Sequence, residues 1–290
     1  MAGWNELSLR EDPVGGEVRE TVRELTPPFP QGRRRVVLLI HGYNNTKDAA
    51  RAAYETFTDD LAALGPGAGA LLADVGKLYW PGDVALGPLS FLSYPTELEP
   101  AKKTAENLAT YLRTLAGPAG TPVELYFVCH SLGNRVLLEL LDRLAETPAP
   151  LGHVAAVVCM AAAVPVELVD AGGALLRGAR LPDKTLVLYS RDDTVLHWAF
   201  PLGETAAGDG FLPTAVGRFG EPSGLWTERD ELAGDDHGDY WGDPRAAIRL
   251  ARVLGAAVPQ ALEAAAIARR TLPRATAIAS REIPARELQS

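Results

Sequence analysis

Cysteine is scarce in this chain, and its scarcity limits the covalent and metal chemistry that the sequence can support. Only two cysteines occur among 290 residues, Cys129 and Cys159, and each lies at or near the end of an apolar run typical of a central strand. Buried cysteines behave as small apolar side chains, and these two lack the spacing of a metal site. We therefore expect neither a structural disulfide nor a metal or other cofactor.

Positive charge is also in deficit. The chain has 28 lysines and arginines against 37 aspartates and glutamates, which gives a formal net charge of −9. An acidic surface repels phosphate groups, and the one compact basic cluster, residues 33–35, directly precedes an apolar run as a strand entry would. The charge balance therefore argues against nucleic acid as a partner.

No apolar run is long enough to span a bilayer, which takes about 20 residues. The most apolar stretch, residues 154–164, is stopped by Pro165, and residues 1–10 lack the apolar core of a signal peptide. These absences predict a cytoplasmic protein without a membrane span. They leave the oligomeric state open, with a homodimer as one expectation.

The sequence does contain a regular alternation of strand and helix patterns within an ordinary globular composition, 47% apolar and 22% charged. Apolar runs predict strands at residues 36–40, 77–80, 123–129, 154–162 and 185–189. Helical spacing follows at residues 46–64, 97–115, 131–144, 164–176 and 240–254. Continuous apolar strands that alternate with helices predict an α/β fold, with a mostly parallel sheet and helices on both faces.

The chain divides into three expected parts. Residues 1–32 contain two alternating stretches around a proline and glycine turn, which predicts an edge hairpin followed by a connector. Residues 33–256 form the expected main α/β domain. Residues 257–290 form a tail that Pro273 and Pro284 interrupt, so we expect it to be helical or flexible.

A candidate nucleophile lies where a buried strand meets a helix, in Cys129-His130-Ser131-Leu132-Gly133. A small residue two positions before and after a serine is typical of a sharp turn that exposes the serine hydroxyl. The helix N-terminus behind it favours developing negative charge. Cys129 stands where glycine is usual, and a serine that only caps the helix is the alternative.

A second loop supplies candidate hydrogen-bond donors. His41-Gly42-Tyr43-Asn44 ends the first buried strand, and Gly42 allows the backbone to approach a substrate closely. Serine acyl transfer needs backbone N–H groups that donate hydrogen bonds to the carbonyl oxygen as it becomes negative. By position, we expect the N–H groups of Tyr43 and Leu132 to form this oxyanion hole.

His237 is the candidate general base. Of the five histidines, His41 lies in the oxyanion loop, His130 within the serine turn, His153 at the opposite end of the sheet, and His197 close to the candidate acid. His237 lies in a polar loop directly before the helix predicted at residues 240–254, where an α/β fold can bring a base to the serine. The alternative is an exposed loop histidine, and we expect the aspartates beside it to be solvated.

The candidate acid follows the strand at residues 185–189. Asp193 lies three residues beyond Ser190, the small residue at the strand end, which is the usual distance for the carboxylate that orients the base. Asp192 remains the alternative, and a helix-capping role is open for either residue. The resulting chain order is serine, aspartate, histidine.

Together these motifs resemble a bacterial α/β-hydrolase family of largely uncharacterised function within the lipase and esterase clan. The matching segments are His41-Gly42-Tyr43-Asn44, Trp80-Pro81-Gly82, His130-Ser131-Leu132-Gly133-Asn134, Ser190-Arg191-Asp192-Asp193 and His237, within residues 35–254. The resemblance implies the α/β-hydrolase fold with an eight-stranded type of sheet. It also implies a triad of Ser131, Asp193 and His237 that hydrolyses carboxylic esters without a cofactor.

The substrate is less constrained by the sequence. The short distance from Trp80 to the helix at residue 97 leaves room for a loop cover and no large lid domain, which favours short to medium acyl chains. Trp80, Trp198 and Phe200 are candidates for a substrate pocket, with ordinary packing as the alternative. An amidase, thioesterase or peptidase could use the same triad, and a catalytically idle binding protein could keep the fold.

Overall fold

The computed structural model describes residues 5–11, 17–26, 34–43, 45–82, 98–115, 123–146, 152–208 and 211–271. Eight strands form one sheet: β1 (Asn5–Arg10), β2 (Val18–Glu24), β3 (Arg35–Ile40), β4 (Val75–Tyr79), β5 (Val123–His130), β6 (Gly152–Met160), β7 (Lys184–Tyr189) and β8 (Glu228–Glu231). Their order is β2-β1-β4-β3-β5-β6-β7-β8. All neighbouring pairs are parallel except β1 with β2. The predicted mostly parallel sheet is confirmed.

Helices cover the two faces of this sheet. They are α1 (Lys47–Ala63), α2 (Pro66–Gly69), α3 (Leu98–Thr114), α4 (Gly133–Glu146), α5 (Leu176–Ala179), α6 (Phe200–Ala207), α7 (Val216–Phe219), α8 (Pro244–Val253) and α9 (Gln260–Thr271). The helices α3, α4 and α5 pack together, and α1, α8 and α9 form a second group. Each group buries an apolar stripe against the sheet, as expected of a doubly covered parallel sheet.

The N-terminal hairpin is continuous with the main sheet. Strand β1 pairs antiparallel with β2 and parallel with β4, and Leu7 and Leu9 of β1 are buried in the common core. Val18 and Val22 of β2 pack against the same core. Because an edge strand with one apolar face needs a covering layer, this packing fixes the register of the hairpin.

One predicted helix is wrong. Residues 164–176 form only a short 3₁₀ turn, Val166–Leu168, before the single turn of α5. Pro165 is held in a β-bridge with Ala215, and Gly172 has a φ of 85°, outside the helical region. A proline at one end and a left-handed glycine inside the segment prevent a continuous helix.

The helix predicted at residues 240–254 is shorter in the structure. The segment begins as a 3₁₀ turn, Tyr240–Gly242, and the α-helix α8 starts at Pro244. Asp243 separates the two because its Oδ1 accepts a hydrogen bond of 2.8 Å from the Arg245 backbone N–H, as a helix cap does. This short turn brings the polar loop before it close to the sheet.

Several expectations lie outside the described residues: the hairpin turn at residues 12–16, most of the connector up to residue 33, the loop cover at residues 83–97 and the tail after residue 271. The three-part division of the chain and the lack of a large lid domain therefore stay predictions. Within the described ranges, no helix is both long enough and apolar enough to cross a membrane.

A buried tyrosine joins three elements beneath the carboxyl end of the sheet. The Tyr54 hydroxyl on α1 accepts a 2.7 Å hydrogen bond from the His41 backbone N–H, after β3. The same hydroxyl donates a 2.7 Å hydrogen bond to the Leu78 carbonyl on β4. Tyr54 is fully buried, so no water replaces these bonds if the hydroxyl is removed.

We predict that Tyr54→Phe destabilises the protein by about 1–3 kcal/mol, because it leaves a buried N–H and a buried carbonyl without a partner. Urea unfolding followed by circular dichroism measures the difference. Tyr111→Phe is the matched control, since its hydroxyl donates to the exposed Glu24 carboxylate, and its cost should stay within about 0.5 kcal/mol. Equal costs for the two variants would contradict this account of Tyr54.

Candidate active site

Ser131 occupies a strained turn between β5 and α4. Its φ is 53°, in the left-handed region that a residue with a side chain rarely adopts, at a cost of about 1–3 kcal/mol. The turn is held by the neighbouring strand, because the Ser131 N–H donates to the Met160 carbonyl at 3.0 Å and the Ala163 N–H donates to the Ser131 carbonyl at 3.2 Å. This geometry lifts the serine above the carboxyl edge of the sheet.

Close contact between backbones explains the two glycines near the serine. A Cβ at Gly133 would lie 2.5 Å from the His41 carbonyl oxygen and 2.7 Å from that of Ile40. A Cβ at Gly42 would lie 2.5 Å from the Cβ of Ser131. Since neither backbone can move away cheaply, both positions require glycine. The start of α4 and the loop after β3 therefore meet without intervening side chains.

The structure brings the predicted triad residues together. His237 Nε2 lies 2.8 Å from Ser131 Oγ, and His237 Nδ1 lies 2.8 Å from Asp193 Oδ2. A carboxylate only accepts hydrogen bonds, so Nδ1 carries the proton and Nε2 can accept the serine proton. Asp193 is buried, and its other oxygen accepts a 2.8 Å hydrogen bond from the Leu196 N–H.

Asp192, the alternative acid in the sequence, lies elsewhere. It is exposed, and its Oδ2 accepts a 2.8 Å hydrogen bond from the Gly234 N–H. Asp193 is therefore the carboxylate in contact with His237, while Asp192 holds the start of the histidine loop, residues 234–239. The two neighbouring aspartates face different parts of the same loop.

Further hydrogen bonds fasten the histidine loop to the acid turn, residues 190–194, which carries Asp193. The Ser190 hydroxyl donates to the Asp235 carbonyl at 2.7 Å, and the Thr194 N–H and hydroxyl both donate to Asp236 Oδ1 at 2.9 Å. Burial favours the protonated form of Asp236, but hydrogen bonds from Thr194 and His237 outweigh it and lower the pKa of this carboxyl. The loop is thus tied residue by residue to the turn that carries Asp193.

The expectation that the aspartates of this loop are solvated is wrong for Asp235. It is fully buried, and Arg245 Nη2 lies 2.8 Å from its Oδ1 and 2.6 Å from Oδ2 of the buried Asp243. A positive charge offsets the cost of burying a carboxylate, and Arg245 contacts both Asp235 and Asp243. Sequence reasoning missed Arg245 because an arginine in the first turn of a helix is commonly solvated.

The oxyanion loop rests on Trp80 and a neutral histidine. The Trp80 indole N–H donates to the His41 carbonyl at 2.8 Å, and the two rings stack with centroids 5.7 Å apart. His41 Nε2 accepts from the Trp80 backbone N–H at 3.3 Å, so Nδ1 carries the proton and donates to the Gly42 carbonyl at 2.8 Å. Burial lowers the pKa of His41 to about 3, which keeps it neutral.

The residues expected to supply the oxyanion donors lie next to the serine turn. The Leu132 backbone N–H has no acceptor among the residues that the structure describes. Tyr43 follows Gly42, whose backbone packs directly on Ser131. Two N–H groups placed on either side of a serine hydroxyl can stabilise a carbonyl oxygen that becomes negative. Their roles stay predictions.

The three expected pocket residues have different environments. Trp80 is fully buried behind the oxyanion loop, where it supports His41, and its role in a pocket wall stays a prediction. Phe200 is buried at the start of α6. Trp198 lies on the π-helical turn Val195–Ala199 and is 69% exposed. The pocket roles of Trp198 and Phe200 stay predictions.

The two cysteines lie opposite each other on neighbouring strands, and both are free thiols. Cys129 on β5 lies opposite Cys159 on β6, and both are buried. Burial raises the pKa of the Cys159 thiol to about 12 and also raises that of Cys129, with a smaller effect from its neighbour. No three His, Cys, Asp or Glu side chains of the described ranges are placed to hold a metal ion.

We predict that neither thiol reacts with a disulfide reagent such as DTNB at pH 8 while the protein is folded, because both are buried and protonated. Absorbance at the thionitrobenzoate band should rise by two equivalents only after denaturant is added. Rapid reaction of the native protein would show that the β5–β6 pair opens, and Cys129→Ala would then identify which thiol is reached.

The family model of alpha/beta hydrolases of unknown function (DUF900) matches residues 23–207. The chain is similar in structure to a hyperthermophilic esterase from Pyrobaculum calidifontis, with a TM-score of 0.41 and 14% identity over 79% of each chain. It is also similar to a type II thioesterase, YbtT, of the yersiniabactin pathway, with a TM-score of 0.40, 16% identity, and coverage of 81% of this chain and 97% of that one. No curated protein matches this chain.

Proposed function

Since this chain belongs to a family of α/β-hydrolases of unknown function, we propose that it is a serine hydrolase that cleaves carboxylic esters through an acyl-enzyme intermediate. One observation carries this proposal: His237 lies 2.8 Å from both Ser131 Oγ and the buried carboxylate of Asp193. That arrangement of nucleophile, base and orienting acid is the one that acyl transfer requires.

In the proposed acylation step, His237 Nε2 takes the proton of Ser131 as its Oγ attacks the ester carbonyl carbon. The carbonyl oxygen becomes negative and accepts hydrogen bonds from the N–H groups of Tyr43 and Leu132. Asp193 holds the imidazole with its proton on Nδ1 and stabilises the imidazolium that forms. The intermediate collapses, and the leaving alkoxide takes the proton from His237.

In the proposed deacylation step, a water molecule attacks the acyl carbon of the ester formed with Ser131. His237 removes one proton from this water and returns it to Ser131 Oγ as the carboxylic acid leaves. The same donors stabilise the second negative oxygen. The cycle therefore needs only groups that this chain supplies.

Esters are the substrates that we favour over amides. An alkoxide is a better leaving group than an amide anion, so an ester asks less of the histidine acid than an amide does. The short sequence distance between Trp80 and α3, which begins at Leu98, favours short to medium acyl chains. A homodimer and a cytoplasmic location remain part of the proposal.

We predict that the protein hydrolyses p-nitrophenyl esters and that Ser131→Ala lowers kcat/KM by about 10⁴-fold or more, because no other side chain replaces the nucleophile. Release of p-nitrophenol from acetate to decanoate esters measures both the activity and the acyl preference. If the wild type and the variant are equally inactive while folded, the hydrolase proposal fails and an idle binding protein replaces it.

A second prediction separates the two neighbouring aspartates. Asp193→Asn should lower kcat by about 10³–10⁴-fold, because the amide no longer holds the Nδ1 proton of His237. Asp192→Asn is the matched control: its amide oxygen still accepts from Gly234, so kcat should change by about threefold or less. The same ester assay compares the two variants, and a larger loss in Asp192→Asn would reassign the acid.

A further inference from the structure

His130, the residue directly before Ser131, contacts the base from the nucleophile side. Its Nε2 lies 2.8 Å from the backbone carbonyl oxygen of His237, and the two imidazole rings have centroids 5.0 Å apart. The His130 ring is also close to those of Tyr240 and Trp241, at 5.8 Å and 6.0 Å. It is therefore enclosed between β5 and the loop that carries the base.

The hydrogen bond has a fixed direction. A carbonyl oxygen only accepts, so His130 carries its proton on Nε2 and donates it to His237. Burial, and then the nearby His237, lower the pKa of His130 to about 3, which keeps the ring neutral. Its Nδ1 lone pair has no hydrogen-bond partner among the described residues, so the bond to His237 is the one directed polar contact of this ring.

Other side-chain bonds tie the histidine loop to the turn that carries the acid and to Arg245. Ser190, Asp192 and Thr194 hold residues 234–236 of the loop to the turn that carries Asp193. His130 instead joins the His237 main chain to the residue adjacent to the nucleophile. The distance from base to acid and the distance from base to nucleophile are thus fixed by different contacts.

We propose that His130 is a positioning residue that sets the Ser131–His237 contact by donating a hydrogen bond to the His237 carbonyl. The expected effect on kcat rests on the proposed function, whereas the hydrogen bond between His130 and His237 does not. Proton transfer from Ser131 needs the imidazole within hydrogen-bond reach, and a shift of about 1 Å can cost on the order of 10²-fold in rate.

The test compares His130→Gln with His130→Asn. The Gln amide nitrogen can reach the position of Nε2 and donate to His237, whereas the shorter Asn amide cannot. We expect His130→Gln to keep kcat within about fivefold of wild type and His130→Asn to lose about 10–100-fold, with KM changed by about twofold or less in both. His153→Asn is the control, since His153 is exposed and paired with Asp183 at the other end of the sheet.

A readout independent of turnover is the ¹⁵N chemical shift of His237 Nε2, the nitrogen that lies 2.8 Å from Ser131 Oγ, observed by NMR of ¹⁵N-labelled protein. This shift should match the wild type in His130→Gln and move in folded His130→Asn, because the hydrogen bond from Ser131 is lost there. If Gln is as impaired as Asn at equal melting temperature, or if Asn matches wild type, the donor role is overturned. If the wild type hydrolyses no ester, the proposed function fails, and the NMR comparison still decides the role of His130. If His130→Asn does not fold, a changed Nε2 shift in folded His130→Gln contradicts the proposal.

Discussion

The direct contact between two backbones, at the end of β3 and at the start of α4, is the constraint on which the rest of the site depends. Gly133 admits the carbonyl groups of Ile40 and His41, and Gly42 admits the side chain of Ser131. Because no side chain separates them, the oxyanion loop and the serine turn are in direct contact and cannot shift independently. Trp80 and Tyr54 then hold that position from the interior of the protein. The strain at Ser131 is sustained because these surroundings leave the turn no alternative.

The histidine loop is held differently, because His237 lies in neither a helix nor a strand. Its order comes from side chains that reach it from three directions: the acid turn, Arg245 in α8, and His130 in β5. The contact from His130 is neutral, whereas the buried Asp235–Arg245 ion pair lies two residues before His237. The contact between β5 and the loop therefore adds no charge to that of Asp193 beside the imidazole.

Most of the fold could be predicted from the sequence because the central strands are continuous apolar runs. The segment at residues 164–176 could not, since its apolar spacing suits a helix while Pro165 and Gly172 prevent one. Strand β8 was also missed, because Glu228–Glu231 is entirely charged and its place is set by pairing with β7. At the site, the residue types and their chain order predicted that Ser131, Asp193 and His237 lie together. The buried contacts of Arg245 and His130 could not be predicted, because they depend on tertiary structure that no local pattern encodes.

The parallel order of the sheet has a consequence for how the protein acquires its site. The contact between Ser131 and His237 joins residues 106 positions apart, and that between Asp193 and His237 joins residues 44 apart. Long-range contacts form slowly, because loop closure costs entropy before the contact repays it. A chain emerging from the ribosome therefore carries its serine long before its histidine. Under the proposed function, the Ser131 hydroxyl meets its base only after nearly the whole sheet has assembled, so completion of folding is what activates the proposed nucleophile.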